Sequence, residues 1–217
     1  MNTIKKCFNT ILRGDKEKSR LAARVVRKLV YSSSASDREK YDEIAALVRT
    51  APENYAHISE EWRQENFVMA VSVIYFLHDK EHQPDFLFPW FFQLLQHSNG
   101  YIRHAATRMV IHEIGPLTYH IRFPDEKQRY SNKLTPENAD RILFSLFINL
   151  DKLMSILWQP KYEKYKYIDS LPASPYKSVQ MIMFEFEDSC GRKYIMGLVR
   201  KYHKLFNGAV VGDDAFA

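Results

Sequence analysis

Three stretches of this chain carry side chains whose types and spacing can do chemistry. His78-Asp79-Lys80-Glu81-His82 sets two imidazoles about one helical turn apart with a carboxylate beside them, a pattern able to hold one Zn²⁺ and activate its bound water. Pro84 follows at once and ends any helix there, and no recognisable motif supplies a third ligand, so no metal site is expected. Residues 161–167, Lys-Tyr-Glu-Lys-Tyr-Lys-Tyr, interleave three lysines with three tyrosines, which would supply phosphate neutralisation and base stacking together. Residues 16–31 form an amphipathic segment with Leu21, Ala22, Val25, Val26, Leu29 and Val30 on one side; Lys16, Arg20, Arg24, Arg27 and Lys28 lie opposite, with Arg13 extending the row. A row of guanidinium groups at that spacing can track phosphates, and it equally suits the solvated face of a terminal helix.

No other stretch points to catalysis. There is no Gly-rich phosphate loop, nucleophile elbow or cysteine-histidine signature. Glu113, Asp140 and Glu185 are isolated carboxylates whose partners cannot be assigned from sequence, since catalytic geometry is set in space. The chain therefore reads as non-catalytic, with no cofactor.

The elements that must position these side chains centre on residues 85–116, an apolar segment, a polar turn and an amphipathic segment. Pro89 suits a first helical turn, and Trp90, Phe91, Phe92, Leu94 and Leu95 leave that helix apolar almost all round. Ser98-Asn99-Gly100 supplies a short reversal. Ile102, Ala105, Ala106, Met109, Val110 and Ile114 then fall on one helical face, while Arg103, His104, Thr107, Arg108 and His112 take the other sides.

This stretch resembles a HEAT repeat, in which an apolar helix and a polar turn precede an Ile/Val-Arg-x-Ala-Ala helix ending at Gly. The matching residues are Leu94, Leu95, Ile102, Arg103, Ala105, Ala106, Ile114 and Gly115. The resemblance implies an α-solenoid, an array of antiparallel helical hairpins in which the arginine supports contacts between repeats, and it implies a protein or peptide partner held along a groove. The five residues from His78 to His82 match the signature of the inverted zinc peptidases, but that family has a much larger mixed fold.

The remaining helices follow in order. Ser36 is placed to cap a helix with Tyr41, Ile44, Ala45 and Val48 inward, ending before Pro52; Ser59 is placed to cap another from Glu60 to about Asp79. The segment 115–134 reads as the longest connection, carrying Tyr119, His120, Arg122, Phe123, Arg129 and Tyr130 for stacking or phosphate contact. Thr135-Pro136-Glu137 opens a long helix that runs to Pro160, Ser174-Pro175 opens another, and residues 190–207 make the last. The expectation is an all-α domain of about eight helices over residues 1–207, with 208–217 as a loose tail.

Composition agrees with that class. The 217 residues are 46% hydrophobic and 14% aromatic, enough for one substantial core. Cys7 and Cys190 are too few for a disulfide framework, and no apolar run reaches membrane-spanning length, so a soluble cytoplasmic protein with no membrane partner is expected. The first 31 residues hold nine Lys/Arg against two acids, whereas residues 37–65 hold eight acids against four Lys/Arg, so the basic surface is uneven.

Two uses follow from these features. The first is a non-catalytic scaffold for a protein or peptide. The alternative is a nucleic-acid binder drawing on the net charge of +5, with Arg20, Arg24, Arg27, Arg103, Arg108, Arg122, Lys161, Lys164, Tyr165 and Lys166 as contacts. In that form it would be similar to the HEAT-like alkylpurine DNA glycosylases, although no motif here carries their catalytic acid.

Overall fold

A computed structural model describes residues 3–32, 38–77, 83–125, 134–160 and 174–209, and every described element is helical. The helices are α1 (Ile4–Arg13), α2 (Lys16–Ser32), α3 (Arg38–Arg49), α4 (Ala51–Ala56), α5 (Glu61–Tyr75), α6 (Phe88–Leu95), α7 (Gly100–Leu117), α8 (Tyr119–Arg122), α9 (Pro136–Leu157), α10 (Pro175–Cys190) and α11 (Arg192–Ala209). The eleven helices among the described residues exceed the eight expected by α1, whose Ile4, Cys7, Phe8 and Ile11 keep helical spacing, and by the short α4 and α8. No described helix is long and apolar enough to cross a membrane.

Local chemistry explains most of the boundaries. Thr3, Asn99, Thr135 and Ser174 each accept a backbone N–H from the first turn of the helix that follows. Proline stands in the first turn of α4, α6, α9 and α10, where its missing donor costs nothing. Gly191 separates α10 from α11 at a φ of 75°, a left-handed conformation that suits glycine. Pro52 opens α4 rather than closing a helix, and Glu60, not Ser59, stands at the N-terminus of α5. Ser59 Oγ instead donates to the Glu60 carboxylate at 3.3 Å.

The segment after Gly115 departs most from expectation. Helix α7 continues through Pro116 to Leu117, and α8 follows directly, so residues 115–122 are helical rather than a loop. Thr118 makes this continuation possible: its backbone N–H and its hydroxyl both donate to Ile114 O, at 2.9 and 2.7 Å. Leu117 is fully buried and anchors the turn.

Packing follows chain order only in part. α2 lies on α1, α5 on α2, and α7 on both α5 and α6; α10 then packs on α7, α9 on α10, and α11 on α9. One continuous cluster of buried side chains links these layers, from Ile4 and Phe8 through Phe67, Ile74, Phe91, Ile102 and Met109 to Leu143, Phe186 and Leu198. α2 is rotated relative to its expected face. Leu21 is 49% exposed, while Ser19 is fully buried beside Ala22, Val26 and Val30, and Asn66 Nδ2 donates to Ser19 Oγ at 3.1 Å. The packing of α2 on α1 and α5 accompanies that rotation, and apolar periodicity alone does not encode it.

Helix C-termini leave carbonyls without intrahelical donors, and here cations from other elements reach them. Lys40 Nζ donates to Leu29 O and Val30 O at the end of α2, at 3.2 and 3.4 Å. Arg63, at the start of α5, donates through one Nη to Ile11 O, Leu12 O and Gly14 O at 3.0, 2.7 and 2.9 Å, closing α1. Arg103, at the start of α7, donates to His97 O and Ser98 O beyond α6, both at 2.7 Å. Arg122 donates to Gly115 O in the last turn of α7 at 2.8 Å. Each places positive charge at the negative end of a helix dipole.

Replacing Arg63 or Arg103 with Leu strands these carbonyls in the interior, and each variant is expected to lose about 3 kcal/mol in urea denaturation. Arg24→Ala, on the exposed face of α2, is expected to stay within about 0.5 kcal/mol of the parent.

Candidate functional site

The described residues bring one set of titratable side chains together at the surface, around Asp140. Asp140 sits in the second turn of α9, which the Thr135 cap and Pro136 start in a fixed register. α8, held to α7 by Thr118, carries His120 to the carboxylate, and α11 carries Tyr194 and Lys201, seven residues apart on one helical face. Tyr194 OH donates to Asp140 Oδ1 at 2.7 Å, and His120 Nε2 lies 3.0 Å from the same oxygen and 3.3 Å from the tyrosine hydroxyl. Lys201 Nζ lies 3.6 Å from Oδ2, too far for a good hydrogen bond.

Asp140 is only 9% exposed. A buried carboxylate calls for donors around it, and Tyr194 and His120 stand at hydrogen-bond distance with Lys201 somewhat farther off. The same surroundings act on their neighbours. Burial, with the hydrogen bond to Asp140 and its negative charge, raises the Tyr194 hydroxyl above its ordinary value of 10.0. Burial, followed by the charge of Asp140, pushes the Cys190 thiol up to about 12, so it stays protonated and is no nucleophile near neutral pH. The hydrogen bond to Tyr202, and then the neighbouring carboxylate, raise Lys201, whose ammonium also lies 4.9 Å from the Tyr202 ring centroid.

This cluster borders an open recess of about 530 Å³ lined by Asp140, Cys190, Lys193, Tyr194, Leu198 and Lys201 with Gly191 and Gly197. A second, larger concavity of about 840 Å³ runs along α9. Phe144 and Tyr202, stacked at 5.3 Å, and Ile148 give it apolar walls; Glu137, Arg141 and Lys152 edge it with both charges.

The arginines singled out from sequence separate into different environments. Arg20, Arg24 and Arg27 are exposed on α2, with Arg20 held by Glu17 at 2.8 Å. Arg103 is 0% exposed and is committed to the carbonyls after α6, which takes it out of reach of any phosphate. Its early position on α7 turns the side chain back toward the preceding turn and its carbonyls. Arg108 is exposed, with its guanidinium 5.4 Å from the Phe76 ring centroid on α5. Arg122 is exposed but donates to Thr118 Oγ1 and Gly115 O. Lys161, Lys164, Tyr165 and Lys166 lie outside the described residues, as do His78, Glu81 and His82. Among the described residues no group of His, Cys, Asp and Glu side chains is arranged to hold a metal ion.

The Asp140 cluster is the grouping that sequence could not assemble, since its members lie 20 and 54 positions apart. Comparison with known families, with curated proteins and with solved structures finds no match to this chain.

Tyr194, Cys190, Tyr55 and Tyr75 all titrate above their ordinary values, chiefly because burial disfavours their anions. A raised folded value gives stability that is fully present below the unfolded value and is lost as pH climbs toward the folded one. Stability is therefore expected to fall as pH rises above the ordinary thiol and phenol values of 9.0 and 10.0. Tyr194→Phe should flatten part of that fall in urea denaturation repeated across alkaline pH.

Proposed function

We propose that the protein is a non-catalytic helical scaffold, a HEAT-like array, that binds a protein or peptide along the α9 groove. The groove carries the proposal. Phe144 and Ile148 offer an apolar floor, and Glu137, Arg141 and Lys152 set both signs of charge along its edges, the layout of a peptide-recognition groove with anchors below and orienting polar groups above. The helical-array reading draws support from a recurrent arginine. Arg63 and Arg103 stand in the first turns of α5 and α7, each preceded by a large apolar residue, Trp62 or Ile102, and each closes the end of an earlier helix. The contact of Arg103 lies within the 85–116 hairpin, whereas that of Arg63 joins two hairpins.

The test is selection of peptides from a random display library on the purified protein, followed by titration of the enriched sequences. Ile148→Glu and Lys152→Glu, each checked for retained helicity, are expected to weaken those peptides about tenfold, and Arg24→Glu to leave them unchanged. Peptides that bind the groove variants as well as the parent would sink the proposal.

A second reading, nucleic-acid binding, rests on the α1–α2 hairpin. Asp15 and Glu17 are engaged by Lys18 and Arg20, at 3.1 and 2.8 Å, and no ion pair among the described residues takes up Lys5, Lys6, Arg13, Lys16, Arg24, Arg27 or Lys28. In anisotropy titrations with duplex DNA, single-stranded DNA and RNA, that surface predicts affinity falling steeply with salt. Arg24→Glu with Arg27→Glu should shrink the salt slope. Absence of binding at low salt removes this second reading.

A further inference from the structure

Gly197 stands near the middle of α11, where a glycine costs about 1 kcal/mol relative to alanine. Among the described residues nothing accounts for that cost. A Cβ built at Gly197 would meet no atom within 4 Å, so neither close packing nor a left-handed backbone demands glycine. Its open face looks into the recess beside Asp140. On α11, Lys193, Gly197 and Lys201 follow at i, i+4 and i+8, so the bare helix backbone lies between two ammonium groups on one stripe.

The wall opposite completes a pattern of donors and acceptors. Asp140 Oδ1 is occupied by Tyr194 and His120, whereas among the described residues Oδ2 has only Lys201, at 3.6 Å, and retains accepting capacity. Leu198 and the Cys190 thiol supply an apolar side. We propose that this recess binds a small hydroxylated organic anion. Its phosphate or carboxylate lies over Gly197 between Lys193 and Lys201, and its hydroxyl donates to Asp140 Oδ2. Lysine ammoniums act as point charges, so the two anionic groups share this recognition, while the missing Cβ lets either approach the helix surface. The negative charge is what the two lysines select, and the hydroxyl donor is what the second carboxylate oxygen selects.

The test follows backbone amide shifts of the full chain by NMR during titration with glycerol 3-phosphate and, separately, lactate. The expected result is saturable shifts centred on Gly191, Tyr194, Gly197 and Lys201. Lys201→Gln should weaken them about tenfold. Gly197→Leu should abolish them by filling the recess, while its thermal midpoint stays at or above that of the parent because the new side chain enters open space and improves helix propensity. The probe that saturates at the lower concentration distinguishes phosphate from carboxylate. Absence of localised shifts with both probes overturns the proposal, as do shifts that persist unchanged in Gly197→Leu. Ile148→Glu, which tests the α9 groove, should leave these shifts intact, so failure of one proposal is distinguishable from failure of the other.

Discussion

The structure depends on how its helix ends are satisfied. An all-helical chain carries unpaired carbonyls at every C-terminus, and those facing neighbouring helices cannot simply turn to water. Lys40, Arg63, Arg103 and Arg122 meet that need with donors carried across from other elements. The arginine fork suits the task because several N–H groups in one plane can serve several carbonyls, and the delocalised cation is desolvated at lower cost than an ammonium. Arg103 shows the constraint at its limit. A fully buried guanidinium is tolerable only where acceptors surround it, and the turn between α6 and α7 provides two, so its charge and the shape of that turn require each other.

That constraint also explains which parts of the chain sequence can and cannot disclose. The helical class, the helix starts at Thr135 and Ser174 and the burial of Ile102, Ala105, Ala106, Met109, Val110 and Ile114 on α7 follow from local patterns and are found, whereas Arg103 and Thr107, expected on the other sides of α7, are buried as well. The extent of α7 does not follow locally. Gly115-Pro116 looks like a stop, and what carries the helix past it is the bonding of Thr118 to Ile114 O together with the burial of Leu117. The rotation of α2 similarly involves Ser19 and Asn66, which are 47 positions apart. In each case a tertiary contact outweighs a local preference.

Charge is where local pattern misleads most. Arg103 and Arg122 look like free cations along the chain, yet their donors go to carbonyls. The reverse holds for Asp140, an unremarkable acid between Ala139 and Arg141 that becomes the meeting point of α8, α9 and α11. No spacing rule could bring His120, Asp140 and Tyr194 together. One signal was present in the sequence: Gly197 interrupts an otherwise strong helix former, and Lys193 and Lys201 flank it at helical intervals.

The clamps also have a direction. Lys40 closes α2, Arg63 closes α1, Arg103 secures the end of α6, and Arg122 closes α7, so in every case the donor lies later in the chain than the carbonyls it serves. A chain synthesised from its N-terminus therefore exposes each of these helix ends before the residue that closes it has emerged from the ribosome. α1 waits longest, since Arg63 follows Leu12 by 51 residues. The donor that closes α1 is therefore supplied only once α5 has been synthesised.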